Sequence, residues 1–136
     1  MAKRLSALAV AVTLLGCQAP PPANLAGALT ACSRGAAHVE VQIVGSVGRY
    51  LGVRRSRSGA HEGFLVAPAS RGAALPTDIE VEDNVDLTGF IPLRSGEHVQ
   101  LQGQYECNDG VIHWTHHDPS GRHAAGYIEV GGRRYW

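Results

Sequence analysis

From His98 to Glu106 the chain alternates without a break: Val99, Leu101, Gly103 and Tyr105 are set between His98, Gln100, Gln102, Gln104 and Glu106. A period of two sends successive side chains to opposite faces of a strand, so one face of this segment is core and the other is wet. The same period recurs upstream. Val39, Val41, Ile43 and Val47 alternate with Glu40, Gln42 and Ser46, and Ile79 and Val81 lie between Asp78, Glu80 and Glu82. No stretch between these strands has the length and 3.6-residue period of a crossover helix, which excludes a parallel α/β architecture.

Glycines and turn residues divide the rest. Gly45 and Gly48 invite a bulge or bend in a long first strand. Arg54-Arg55-Ser56-Arg57-Ser58-Gly59 reads as a basic turn, Gly63 to Ala67 as a second strand, and Pro68 to Pro76 as a small-residue loop. Asn108-Asp109-Gly110 predicts a turn into a strand over Val111 to His117. Asp118-Pro119-Ser120-Gly121 fits a type I turn, and Val130-Gly131-Gly132-Arg133 a last hairpin. The back half is expected to be a meander of four short strands. The sum predicts an all-β domain, a small antiparallel OB-like barrel of six or seven short strands, with a sandwich as the alternative.

The first seventeen residues have a basic start (Lys3, Arg4), an apolar run from Leu5 to Leu15 and small residues at its end, the pattern of a signal peptide. The run is shorter than the roughly 20 residues a membrane span needs. Leu14-Leu15-Gly16-Cys17 resembles the lipobox of bacterial lipoproteins. That resemblance implies a lipid anchor on Cys17, a cell-envelope location, and, with Gln18 where inner-membrane lipoproteins carry Asp, an outer membrane facing the periplasm. Residues 18–36 are expected to form a tether through Pro20-Pro21-Pro22 and a short helical turn from Leu25 to Cys32, and residues 37–136 the OB-like domain. Cys32 and Cys107 then lie in a compartment that permits disulfides; pairing and two free thiols both remain open.

Composition bears on partners. Lys3 and Arg4 take two of the twelve cations, so ten Arg face twelve acidic residues in the mature part, about −2 overall. The four-residue basic cluster and low aromatic content argue against nucleic acid, whose single strands need stacking platforms.

Seven His are present, and His113, His116, His117 and His123 fall within eleven residues. With a one-residue bulge at the Asp118 turn, a hairpin would set Asp118 against Arg122, His117 against His123, His113 against Tyr127, and Ile112 against Ile128. The wet face then collects His113, Thr115, His117, His123, Tyr127 and Glu129. Opposed side chains lie about 5 Å apart, so His117 and His123 could share a zinc or another divalent metal. A third ligand would come from elsewhere, such as His61 or Asp86. Hydrolysis would further need a general base such as Asp118 or Glu129. No nucleophile elbow, glycine-rich phosphate cradle or HExxH spacing is present.

One longer resemblance exists. The pieces are His61-Glu62-Gly63-Phe64, Asn84-Val85-Asp86-Leu87, Ile91-Pro92, Gly96, Gly103-Gln104-Tyr105-Glu106, and Gly110-Val111-Ile112-His113-Trp114-Thr115-His116-His117-Asp118-Pro119, continued by Gly121-Arg122-His123 and Gly126-Tyr127. In these the chain resembles the domain of unknown function 3465 family over roughly His38 to Tyr135. The resemblance implies a signal peptide and one compact domain, and assigns no activity. Two positions depart from the family pattern: Asp83 stands where a His is expected, and Cys107 where an aromatic is expected. The combined expectation is a lipid-anchored binding module using His61, Asn84, Asp86, His113, Trp114, His116, His117, Asp118 and His123. It would take a small ligand, a polymer or an envelope protein; the alternative is a metal-dependent hydrolase, acting for example on phosphodiesters as a nuclease does, built from the same groups.

Overall fold

In a computed structural model, residues 21–136 are described; the expected signal peptide, with Cys17, and residues 18–20 lie outside them. The elements run α1 (Leu25–Ser33), β1 (His38–Ser56), β2 (Gly59–Pro68), β3 (Ile79–Asn84), α2 (Val85–Thr88), β4 (His98–Glu106), β5 (Val111–His113), β6 (Tyr127–Val130) and β7 (Arg133–Tyr135). Among the described residues no helix is long and apolar enough to cross a membrane.

Five strands close a ring in the order β1, β2, β3, β5, β4 and back to β1. All neighbours are antiparallel except β3 and β5, which run parallel with Glu80 beside Val111 and Val81 beside Ile112. The all-β, OB-like expectation therefore holds with one parallel pair, which β4 makes possible by carrying the chain back between them. Alternation supplies the interior: Val41, Ile43, Phe64, Val66, Val81, Val99, Leu101, Ile112 and Ile128 are buried together. The first strand is long and irregular, its register shifting between Val47 and Tyr50 and again before Gly52. Gly45 allows a close crossing with β2, where a Cβ would collide with the Ala67 carbonyl.

Several boundaries differ from expectation. The basic stretch is mostly strand: β1 continues to Ser56 and β2 begins at Gly59, leaving Arg57 and Ser58 as the turn. A two-residue turn suffices because Gly59 adopts φ +115°. The tether end is docked, since Ala23 N–H donates to the Glu40 carbonyl and the Ala23 carbonyl accepts from Gln42 N–H. Asn24 then caps α1 by accepting from Gly27 N–H at 2.9 Å. Cys32 at the end of α1 is joined to Cys107 by a disulfide, with Cα atoms 5.4 Å apart.

The largest difference shapes the site. β5 stops at His113, and β6 pairs with β4 and β7. Both β5 and β6 use the same edge of β4, β5 along Gln104–Glu106 and β6 along Val99–Gln102. A meander would need β6 beside β5; here they lie end to end, and the segment between them is expelled as a loop over 114–126. At Gly103, where the two meet, a Cβ would come within 2.5 Å of the His113 carbonyl.

Candidate functional site

The loop leaves β5 through Trp114, which has φ +58°. A bulky residue in the left-handed region costs about 1–2 kcal/mol and marks a conformation imposed by its surroundings. The turn sends Thr115 into the interior, where its hydroxyl donates to Asp83 Oδ1 at 2.7 Å. Thr88, from α2, donates to Asp83 Oδ2. Burial pushes the Asp83 carboxyl above its ordinary value, opposed by these two hydrogen bonds and by the nearby His116 and His61. The residue that departs from the family pattern is thus a buried anchor joining β3, α2 and the loop.

Beyond Thr115 the loop is held by Asp118. Its Oδ1 accepts from Ser120 N–H at 2.8 Å and from the Ser120 hydroxyl, and its Oδ2 accepts from the N–H groups of Arg122 and His123. The Ser120 hydroxyl, together with these backbone donors, holds the Asp118 carboxyl well below the usual carboxylate range. A carboxylate so fully used cannot serve as a general base, and the expectation for Asp118 in that role is corrected. Glu129 is engaged elsewhere, by Arg134 at 2.9 Å.

The rings of Trp114, His116 and His123 form one cluster, with Trp114 and His123 centroids 4.5 Å apart and His116 and His123 edge to face at 5.2 Å. His116 is buried and its Nδ1 pairs with the His117 carbonyl. The His123 side chain is only 6% exposed. Its Nδ1 lies 2.7 Å from the Ala124 carbonyl, while Nε2 is buried without a partner, 3.7 Å from Asp118 Oδ2.

Against this loop stands the outer face of the barrel, which carries Arg54, His61, Glu82, Asn84 and His113. Between them runs an open groove of about 1150 Å³, reaching from the β1–β2 turn to the 118–123 loop. Eight of the nine expected binding residues line it, from His61 and Asn84 to His123. Asp86 does not; its carboxylate accepts from Ala60 N–H at 2.8 Å and braces the hairpin base. The expected wet strip also breaks up. Thr115 is buried on Asp83, and the Tyr127 hydroxyl accepts from Gln42 and Gln100 on another part of the surface.

The metal expectation loses its geometric basis. His117 and His123 were to face each other across a β5–β6 pair that does not form, and His117 lies in the expelled loop. Among the described residues no group of three or more His, Cys, Asp or Glu is arranged to hold a metal ion. Sequence reasoning missed Glu82, whose Oε2 lies 3.7 Å from His113 Nδ1 and whose Oε1 meets Arg54. The signal was present, because Glu82 shares the outer face of its strand with Asn84. Burial, with Arg54 adding to it against the pull of Glu106, Asp109 and Glu80, pushes His113 below its ordinary value.

The sequence model described as "Protein of unknown function (DUF3465)" matches residues 14–136. The chain belongs to the DUF3465 family. No curated protein and no solved structure matches it. For DUF3465 the run from His113 to Pro119 thus gains a structural reading: a strand end, a left-handed turn, a buried anchor and a ring cluster beside a groove.

Proposed function

We propose that the chain is a binding module of the cell envelope, held through a lipid on Cys17 at the outer membrane and facing the periplasm, which captures a polar ligand in the His-rich groove. One observation carries this reading. Side chains from the β1–β2 hairpin, β3, β5 and the 114–126 loop meet along one groove, while Asp83, Asp86 and Asp118 are occupied by internal hydrogen bonds. The location adds support, because OB-type barrels use the face around the second and third strands and the loop between the first two strands to take oligomeric ligands. That analogy concerns the fold alone.

The reading is tested by recording amide shifts of the 15N-labelled chain against soluble monosaccharides, nucleotides and dipeptides. Shifts concentrated on residues 54–61 and 113–123 support it; a groove that no probe perturbs refutes it.

A hydrolase remains the second reading, on the strength of the Glu82 carboxylate behind His113 Nδ1. A carboxylate 3.7 Å from Nδ1 favours the imidazolium that forms when the other nitrogen takes a proton from water. Calorimetric titration with zinc or manganese separates its metal-dependent form. Sub-micromolar binding favours a metal hydrolase; without heat, a hydrolysis lost in Glu82→Gln and His113→Ala favours a metal-free one, and the absence of any hydrolysis favours the binding module.

A further inference from the structure

We propose that the ligand of this groove is a neutral oligosaccharide, one ring of which stacks on Trp114. The proposal rests on the binding reading above and names its ligand class.

Trp114 is 39% exposed and lines the groove. The display is built. Its backbone is held in the left-handed region, and its ring packs against those of His123 and His116, with centroids 4.5 and 5.9 Å away. A supported indole face is electron-rich and attracts partly positive C–H groups. The C–H face of a pyranose presents such groups in a flat array.

Charge in the groove points the same way. Arg54 is matched by Glu80 and Glu82, and Arg122 lies 3.9 Å from Asp118. Only Arg55 is left, against Glu106 and Asp109 in the same lining. A polyanion would meet at least as much repulsion as attraction here.

Three imidazoles of the lining, His61, His113 and His117, have no internal hydrogen bond among the described residues, and of the charged groups beside them only Arg55, Glu106, Asp109 and Glu82 are similarly unspent. A neutral imidazole carries one donor and one acceptor, which matches a sugar hydroxyl better than an anion that only accepts. The groove, at about 1150 Å³, also exceeds the roughly 300–1000 Å³ of a drug-sized site, so it has room for several linked rings.

The test is a glycan microarray probed with the disulfide-bonded chain. Neutral oligosaccharides should bind, Trp114→Ala should weaken them at least ten-fold, and Trp136→Ala, which alters the other indole outside the groove, should leave them unchanged. Trp114→Asn serves as a second variant, because Asn tolerates the left-handed backbone and removes only the ring. Binding confined to sulfated or phosphorylated glycans overturns the proposal, as does binding by both Trp114 variants as strong as the parent's. If no glycan binds while nucleotides or dipeptides still move the groove amides, the sugar assignment fails and the binding module stands. If no probe of any kind touches the groove, both fail.

Discussion

The Thr115 hydroxyl donates to Asp83 Oδ1 at 2.7 Å, and both residues are fully buried. One hydrogen bond thereby fastens the loop that carries Trp114, His116 and His123 to the inner face of β3. Replacing Thr115 by Val keeps the branched shape and removes the donor, leaving a buried carboxylate oxygen unpaired. The expected loss is about 1–3 kcal/mol in urea unfolding, together with altered amide shifts in residues 114–123. Thr115→Ser should retain most of the stability. A Val variant as stable as the parent would show that the contact contributes nothing.

Asp83 and Glu62 make stability depend on pH. Burial raises both carboxyls; Ile91 N–H opposes the shift at Glu62, and the charge of Asp83 adds to it. A group whose folded value is raised holds its proton more tightly when folded. Its stabilising contribution is complete below the ordinary carboxylate range and is lost as pH rises through the folded value. His113, whose value is depressed, works in the opposite sense, losing its contribution as pH falls through the folded value. Comparison with Asp83→Asn cancels the His113 effect. The stability of the Asn variant relative to the parent should grow as pH is raised from about 4 to 8 in a series of denaturant titrations. A constant or shrinking difference would contradict the burial argument.

Gly126 closes the loop where it returns to the sheet, its N–H donating to the His116 carbonyl at 3.0 Å. A Cβ there would press on the Trp114 carbonyl oxygen and lie 2.7 Å from that of Gln102, both rigid backbone atoms. Gly126→Ala should therefore cost at least the 1–3 kcal/mol typical of overpacking, roughly, and change the fluorescence of Trp114. Gly27→Ala provides the contrast. In α1 the added methyl meets its nearest atoms at 3.4 Å, so the helix should gain about 0.5–1 kcal/mol. Thermal unfolding of the two variants should move in opposite directions.

The Cys32–Cys107 disulfide spans 75 residues and ties α1 to the end of β4. Chain-entropy reasoning for a loop of this size gives roughly 4 kcal/mol. Cys32→Ser combined with Cys107→Ser should lower the unfolding free energy by about that amount. Adding a reductant should bring the parent down to the variant. Unfolding curves unmoved by reductant would rule out the contribution.

Most of the barrel was legible because alternation is a local property. Val99, Leu101 and Tyr105 announce their face by spacing alone, and so do Ile79 and Val81. The one-turn α2 was missed, since four residues carry no period. Membership of the candidate site was legible in its residue types, with His61, Asn84 and the 113–123 histidines reaching one groove. Its geometry was not. A hairpin from β5 to β6 looked natural in the turn residues Asp118 to Gly121, and that turn does form, with Gly121 N–H donating to the Asp118 carbonyl. Yet it closes a loop.

The sequence by itself determined most of the core residues, most of the turns, and which histidine-bearing segment would reach the candidate site. Only the tertiary structure decided what that segment faces. β5 and β6 each found their partner in β4, whose pairing edge is long enough for both in succession. Competition for hydrogen bonds along one edge is a property of three strands at once, and no pattern within any one of them records its outcome.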